Sequence, residues 1–199
     1  MTQPPDIYLA SNSPRRRELL AQIGIGYETL AVDVEECCAA GETPLDYVQR
    51  VALAKAQAGW AVLGARVVRP VLGADTEVVI DGEVLGKPQN REHGLVMLAR
   101  LSGRAHEVLS AVAVVDGARV LTRLSRSIVT FRTLSAQECA AYWASGEPLG
   151  KAGGYAIQGR GALLIAELHG SYSGVMGLPL CETGELLREL GIGLNGANG

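Results

Sequence analysis

Only four cysteines and three histidines occur in the 199 residues, and neither set is spaced as metal ligands are. Cys37 and Cys38 are adjacent, Cys139 and Cys181 stand alone, and His93, His106 and His169 are scattered. Neither a zinc site nor a disulfide framework is expected, and the thiols fit a reducing compartment. There is no excess of positive charge. The formal net charge is -3, which argues against a broad nucleic-acid-binding surface. A small anionic ligand stays open, because one local basic pocket is enough to hold it. No apolar run is long enough to cross a bilayer. Met1 to Asp6 lack the basic and apolar regions of a signal peptide. The expected compartment is cytoplasmic, with neither membrane nor nucleic acid as a partner. Three nucleotide and hydrolase signatures are also missing. There is no Gly-x-x-x-x-Gly-Lys-Ser/Thr run and no Gly-x-Ser-x-Gly elbow. Gly24-Ile25-Gly26 lacks the third glycine of a dinucleotide fingerprint and follows a helical pattern instead of a strand. Internal repeats and low-complexity linkers are absent too, so residues 1–199 are expected to form a single domain, with the tail 191–199 without order.

What is present is an ordinary globular composition, 48% hydrophobic and 20% charged. Ile7 to Ala10 read as a buried strand. Ser13 then suits a helix cap and Pro14 the first helical position. Gly24 and Gly26 end that helix, and Tyr27 to Val32 read as a strand leading to the acidic loop Asp33-Val34-Glu35-Glu36. Thr43-Pro44 opens a long helix to about Leu63, with Leu45, Val48, Val51, Ala52 and Ala56 as its apolar stripe. Val71 to Ala74 and Val78 to Ile80 read as two short strands, and Asp81-Gly82 as a hairpin turn to Glu83–Leu85. Asn90 caps a helix to Gly103. His106 to Val115 and Arg119 to Phe131 are strand-like around the turn Asp116-Gly117. Ser135 and Glu138 form a capping box for a helix to Ala144. Gly146 to Gly161 read as a glycine-rich loop, Ala162 to Leu168 as a strand, and Leu180 to Leu190 as a last helix. Strands and helices mix without strict alternation, which favours a mixed α/β fold.

Polar residues that carry chemistry collect at a few places. Ser11, Ser13, Arg15, Arg16 and Arg17 surround a helix start, where free N–H groups and the dipole favour an anion. The same arginines also fit a solvated helix surface. Asp75 follows Val71-Leu72-Gly73-Ala74 and so stands at a strand end, as a metal ligand, a proton acceptor or a turn aspartate. Lys55 lies among small residues of the long helix, and Lys87 between Gly86 and Pro88. Each fits a phosphate contact or a surface lysine. Glu35 and Glu36 read as loop charge or, with phosphate oxygens, as magnesium ligands. Gln158 has an amide that donates and accepts, as recognition of a base edge requires.

Taken together these runs resemble the Maf family of nucleoside triphosphate pyrophosphatases. They are Leu9-Ala10-Ser11-Asn12-Ser13-Pro14-Arg15-Arg16, Gly73-Ala74-Asp75-Thr76, Gly86-Lys87-Pro88, Lys151-Ala152-Gly153-Gly154-Tyr155-Ala156-Ile157-Gln158-Gly159, and Gly170-Ser171-Tyr172 with Gly177-Leu178-Pro179-Leu180. The resemblance implies an elongated mixed central sheet flanked by helices, with a cleft between two lobes, similar to inosine triphosphatase-like enzymes. It implies hydrolysis of a nucleoside triphosphate to monophosphate and pyrophosphate with a divalent metal cation (Mg, Mn or Co). It places the catalytic role on Asp75 and substrate binding on Ser13, Arg15, Arg16, Lys55, Lys87 and Lys151. Metal ligation falls to Glu36 and Asp75. Tyr155-Ala156-Ile157-Gln158-Gly159 looks like the dTTP/UTP branch, with Arg15, Thr76 and Gln158 as specificity positions. Gly150 and Gly154 depart from that branch, where Asp and Ala are frequent, and loosen the loop. The resemblance also implies a homodimer. It leaves two alternatives to the dTTP/UTP reading: a pyrophosphatase for modified nucleotides, or a nucleotide-binding regulator of cell division.

Overall fold

The computed structural model describes residues 4–193. The tail beyond residue 193 lies outside the described residues. A seven-stranded mixed sheet forms the centre, flanked by helices. Its order is β2 (Tyr27–Thr29), β1 (Ile7–Leu9), β3 (Val71–Ile80), β5 (Ala105–Asp116), β6 (Arg119–Phe131) and β7 (Ile165–His169), and β4 (Glu83–Val84) also pairs with β3. β1 runs parallel to both β2 and β3, and every other pairing is antiparallel. Six helices accompany the strands among the described residues. They are α1 (Pro14–Gln22), α2 (Pro44–Ala61), α3 (Arg91–Leu101), α4 (Ala136–Ala144), α5 (Tyr172–Met176) and α6 (Leu180–Glu189).

Local sequence explains most element ends. Thr43, Asn90 and Ser135 cap α2, α3 and α4 with side-chain oxygens, and Ser135 with Glu138 completes the capping box. Gly191 and Ile192, which the sequence reading assigned to the tail, close α6 through backbone bonds to Arg188 and Leu187. Two expectations need correction. Ser13 occupies the N-cap of α1, but its side chain makes no capping bond. Ala162 to Leu164 belong to a 3-10 turn, so β7 starts only at Ile165.

The largest departure is at β3. The polar run Asp75-Thr76-Glu77 suggested a break between two short strands, but the strand is continuous over ten residues. The reason is its partner. β5 pairs with β3 without interruption from Val71 to Val79. On the other edge β1 reaches only Val71 and Leu72, and β4 only Val79 and Ile80. A gap opens between them, and Asp75, Thr76 and Glu77 sit in it. Asp75 is therefore not at a strand end. It lies mid-strand, where the neighbouring strand has ended.

Apolar packing holds the two sides of that gap. Ile7, Leu9, Leu19, Leu20, Leu72, Val112 and Leu186 form one buried cluster under α1 and α6. Val78, Ile80, Leu98, Leu101, Val108 and Phe131 form another under α3 and α4. Each such fully buried side chain contributes about 1.5–3 kcal/mol. On the opposite sheet face Val48, Ala52 and Ala56 of α2 pack on β3 and β5. Gly73 allows close contact there, since a Cβ would stand 2.4 Å from Ala52 O and 2.5 Å from Ala56 N. This contact sets Lys55 of α2 over Asp75.

Candidate active site

The gap in the sheet forms the base of a cleft of about 350 Å³. Ser13, Arg15, Arg16, Glu36, Lys55, Asp75, Thr76, Lys87, Lys151 and Gln158 all line it, whereas Arg17 and Glu35, also considered from the sequence, do not. Side chains alternate along β3, so Asp75 and Glu77 lie on the α2 face and Thr76 on the other. The cleft thus wraps around an open strand edge.

On the α2 face the charges interlock. Lys55 Nζ is 2.8 Å from Asp75 Oδ1 and 2.6 Å from Glu36 Oε1. Lys87 Nζ is 2.5 Å from Glu36 Oε2. Burial pushes the Glu36 carboxyl up, but hydrogen bonds from Lys55 and Lys87 outweigh it and bring it down to about 2. Lys55 is 8% exposed and Asp75 5%. The second oxygen of Asp75, Oδ2, is buried with no hydrogen-bond partner.

The start of α1 faces the same space. Because Ser13 makes no cap bond, the backbone N–H groups of Arg15 and Arg16 have no capping side chain, and both residues line the cleft. Ser11 takes the organising role instead, as its Oγ accepts from Ser13 N at 3.2 Å and from the Arg16 guanidinium at 3.1 Å. Both arginines are fixed from far along the chain. Arg15 Nε donates to Met176 O at 3.1 Å and Arg16 Nε to Gly177 O at 2.8 Å. These carbonyls close the end of α5, which gives the Gly170 to Leu180 motif a concrete purpose. Desolvation draws Arg16 below its ordinary value, against the pull of Asp75, Glu36 and Glu77.

On the other face Thr76 meets Ser110, whose Oγ is 3.0 Å from Thr76 Oγ1 and 2.6 Å from Gly174 O. The segment carrying Lys151 and Gln158 is folded down there. Gly150 and Gly154 both adopt positive φ, 67° and 70°, a region glycine enters more easily than Asp or Ala. The departures from the branch pattern thus suit the backbone found here.

Three residues were not foreseen. Glu147 accepts from Tyr142 Oη at 2.6 Å, Arg160 N at 2.8 Å and Gly161 N at 2.9 Å, stapling the loop behind Gln158. His106 Nε2 lies 2.8 Å from Tyr155 Oη, in an edge-on cluster with Phe131. Glu77 is the third, a buried acid that burial and the nearby Asp75 push up to about 8. Its only sequence signal is an acid two residues after Asp75 in a strand-like run.

Burial brings the His106 imidazole down to about 4. The unfolded chain therefore binds this proton more readily than the fold does. Its contribution is complete above about pH 6.5 and is lost as pH falls toward 4, by roughly 3 kcal/mol. Urea midpoints at pH 7 and pH 4.5 should differ less in His106→Gln than in the parent. Equal differences would show that His106 does not set this dependence.

Among the described residues no group of three or more His, Cys, Asp or Glu is arranged to hold a metal by itself. None of their helices is long and apolar enough to cross a membrane. Comparison with known proteins adds independent information. The Maf-like protein family matches residues 6–190. A dTTP/UTP pyrophosphatase of Alkalilimnicola ehrlichii is 57% identical over 191 residues, 94% of each chain. One of Methylococcus capsulatus is 57% identical over 187 residues, covering 94% of this chain and 92% of that protein. One of Salmonella typhimurium is 52% identical over 181 residues, 91% of each chain.

Proposed function

The chain belongs to the Maf-like protein family, and on that premise we propose that its cleft hydrolyses dTTP and UTP to the monophosphate and pyrophosphate. The observation that carries the chemistry is a buried carboxylate, Asp75, with one oxygen on Lys55 and the other unpartnered, set among the cationic side chains of one cleft. Transfers at phosphorus depend on positioning and charge more than on covalent chemistry.

Asp75 orients water and takes its proton as the oxygen attacks the α-phosphorus. Arg15, Arg16 and the free N–H groups of α1, with the Ser13 hydroxyl, bind the phosphate chain. Lys87 and Lys151, which line the same cleft, help stabilise the departing pyrophosphate. Lys55 donates to Asp75 Oδ1 and holds the carboxylate in position. Thr76, Arg15 and Gln158 choose the base.

A divalent cation fits the residues present. Asp75 Oδ2 is a buried hard oxygen with no partner, of the kind Mg²⁺ takes alongside phosphate oxygens. Glu36, the other expected ligand, has both oxygens on lysines and joins only by releasing one of them. When bound, the cation supplies neutralisation of the triphosphate charge. A cytoplasmic location, expected from the sequence, and a homodimer, implied by the resemblance, belong to the same proposal.

The test is a panel of nucleoside triphosphates, canonical and base-modified, at equal concentration with Mg²⁺ or Mn²⁺ and separate assays for pyrophosphate and orthophosphate. Pyrophosphate from dTTP and UTP in preference to the purine nucleotides is expected. Orthophosphate as the first product would overturn the reaction, and a modified base at the top of the panel would overturn the substrate. Binding without turnover in every metal would favour a regulatory role.

A further inference from the structure

The scheme above leaves Glu77 without a task. It lies on β3 two residues beyond Asp75, so both side chains leave the same face of the strand. Glu77 is 8% exposed, and both residues line the cleft. Each keeps one carboxylate oxygen, Glu77 Oε2 and Asp75 Oδ2, buried and without a hydrogen-bond partner. Glu36 differs, because each of its oxygens is held by a lysine. Two desolvated carboxylate oxygens on one strand face are unfavourable twice over: neither has a donor, and each repels the other. An apolar residue at this position would remove both costs. A hard cation between them offsets both instead.

We propose that Glu77 and Asp75 together form the protein half of a divalent-cation site, and that Glu36 serves as a clamp for Lys55 and Lys87 instead of as a ligand. Two carboxylates are what Mg²⁺ or Mn²⁺ commonly takes from protein when phosphate oxygens and water complete the shell. Glu77 thereby gives the cation a ligand that does not compete with the lysine network. The phosphate half of the site rests on the function proposed above.

The test uses the full chain without nucleotide. Mn²⁺ is titrated and the free ion read by electron paramagnetic resonance. The parent is expected to bind one Mn²⁺, and Glu77→Gln to bind it at least tenfold more weakly. Glu77→Asp, which keeps the charge on a shorter arm, is expected to fall between them. It carries the test if circular dichroism shows Glu77→Gln unfolded. Binding of pyrophosphate alone, in the presence of a chelator, should not weaken in Glu77→Gln, because the substitution takes no cationic group from the cleft. Unchanged Mn²⁺ affinity, no Mn²⁺ binding by the parent, or an equal loss of chelator-resistant pyrophosphate binding would each overturn the assignment. Turnover plays no part in these readings. Loss of the dTTP/UTP activity would sink the proposed function and leave the cation site standing, and the reverse holds equally.

Discussion

Asp75→Asn is expected to lower kcat for dTTP by at least about 10³-fold, equivalent to roughly 4 kcal/mol of barrier, while the protein stays folded. The substitution nearly preserves shape, and Asn can still accept from Lys55 through its carbonyl. What it removes is the negative charge and the basic oxygen. Asp75 Oδ2 has no hydrogen-bond partner, so the change breaks no hydrogen bond within the protein, and it also removes the oxygen offered to the cation. The matching control is Lys55→Arg, which keeps a cation beside Asp75 Oδ1 and should lose less activity. Turnover within tenfold of the parent in Asp75→Asn, with its circular dichroism unchanged, would remove Asp75 from the water-activating role.

Lys55→Met is expected to destabilise the fold by about 3–5 kcal/mol. The lysine is buried between two acids, 2.8 Å from Asp75 and 2.6 Å from Glu36. Removing it takes the ion-pair partner from Asp75, a buried carboxyl two residues from Glu77 on the same strand. The loss comes from uncompensated charge more than from the missing lysine stem. Asp75→Asn in the Lys55→Met background should therefore recover a large part of the stability, a coupling of the sign expected for a charged pair. Urea unfolding of both single variants and the double variant measures it. A Lys55→Met protein as stable as the parent would show that water reaches the pair and screens it.

Most of the long elements were legible because their signals are local. The capping box Ser135–Glu138 and the apolar stripe of α2 need only neighbouring residues to be read. β3 was misread for the opposite reason. Asp75, Thr76 and Glu77 look like a break, and only the unbroken ladder to β5, where their partners are Ala111, Ser110 and Leu109, keeps the chain extended through them. The five-residue α5 is too short for a periodic signal. Its carbonyls nonetheless fix Arg15 and Arg16 across 161 residues of sequence. Arg15, Asp75 and Gln158 were found through motif resemblance, since each also has a plain local reading. Glu77 and Glu147 lie outside the quoted motifs. Their significance comes from what surrounds them, an empty acceptor position in one case and three converging donors in the other.

The central claim is that water attacks the α-phosphorus beside Asp75 and pyrophosphate departs toward the lysines. Turnover of dTTP in water enriched in oxygen-18, with mass analysis of both products, tests it most directly. The label should appear in dTMP, with pyrophosphate unlabelled. Label in pyrophosphate and none in dTMP would place the attack on the β-phosphorus and contradict the account.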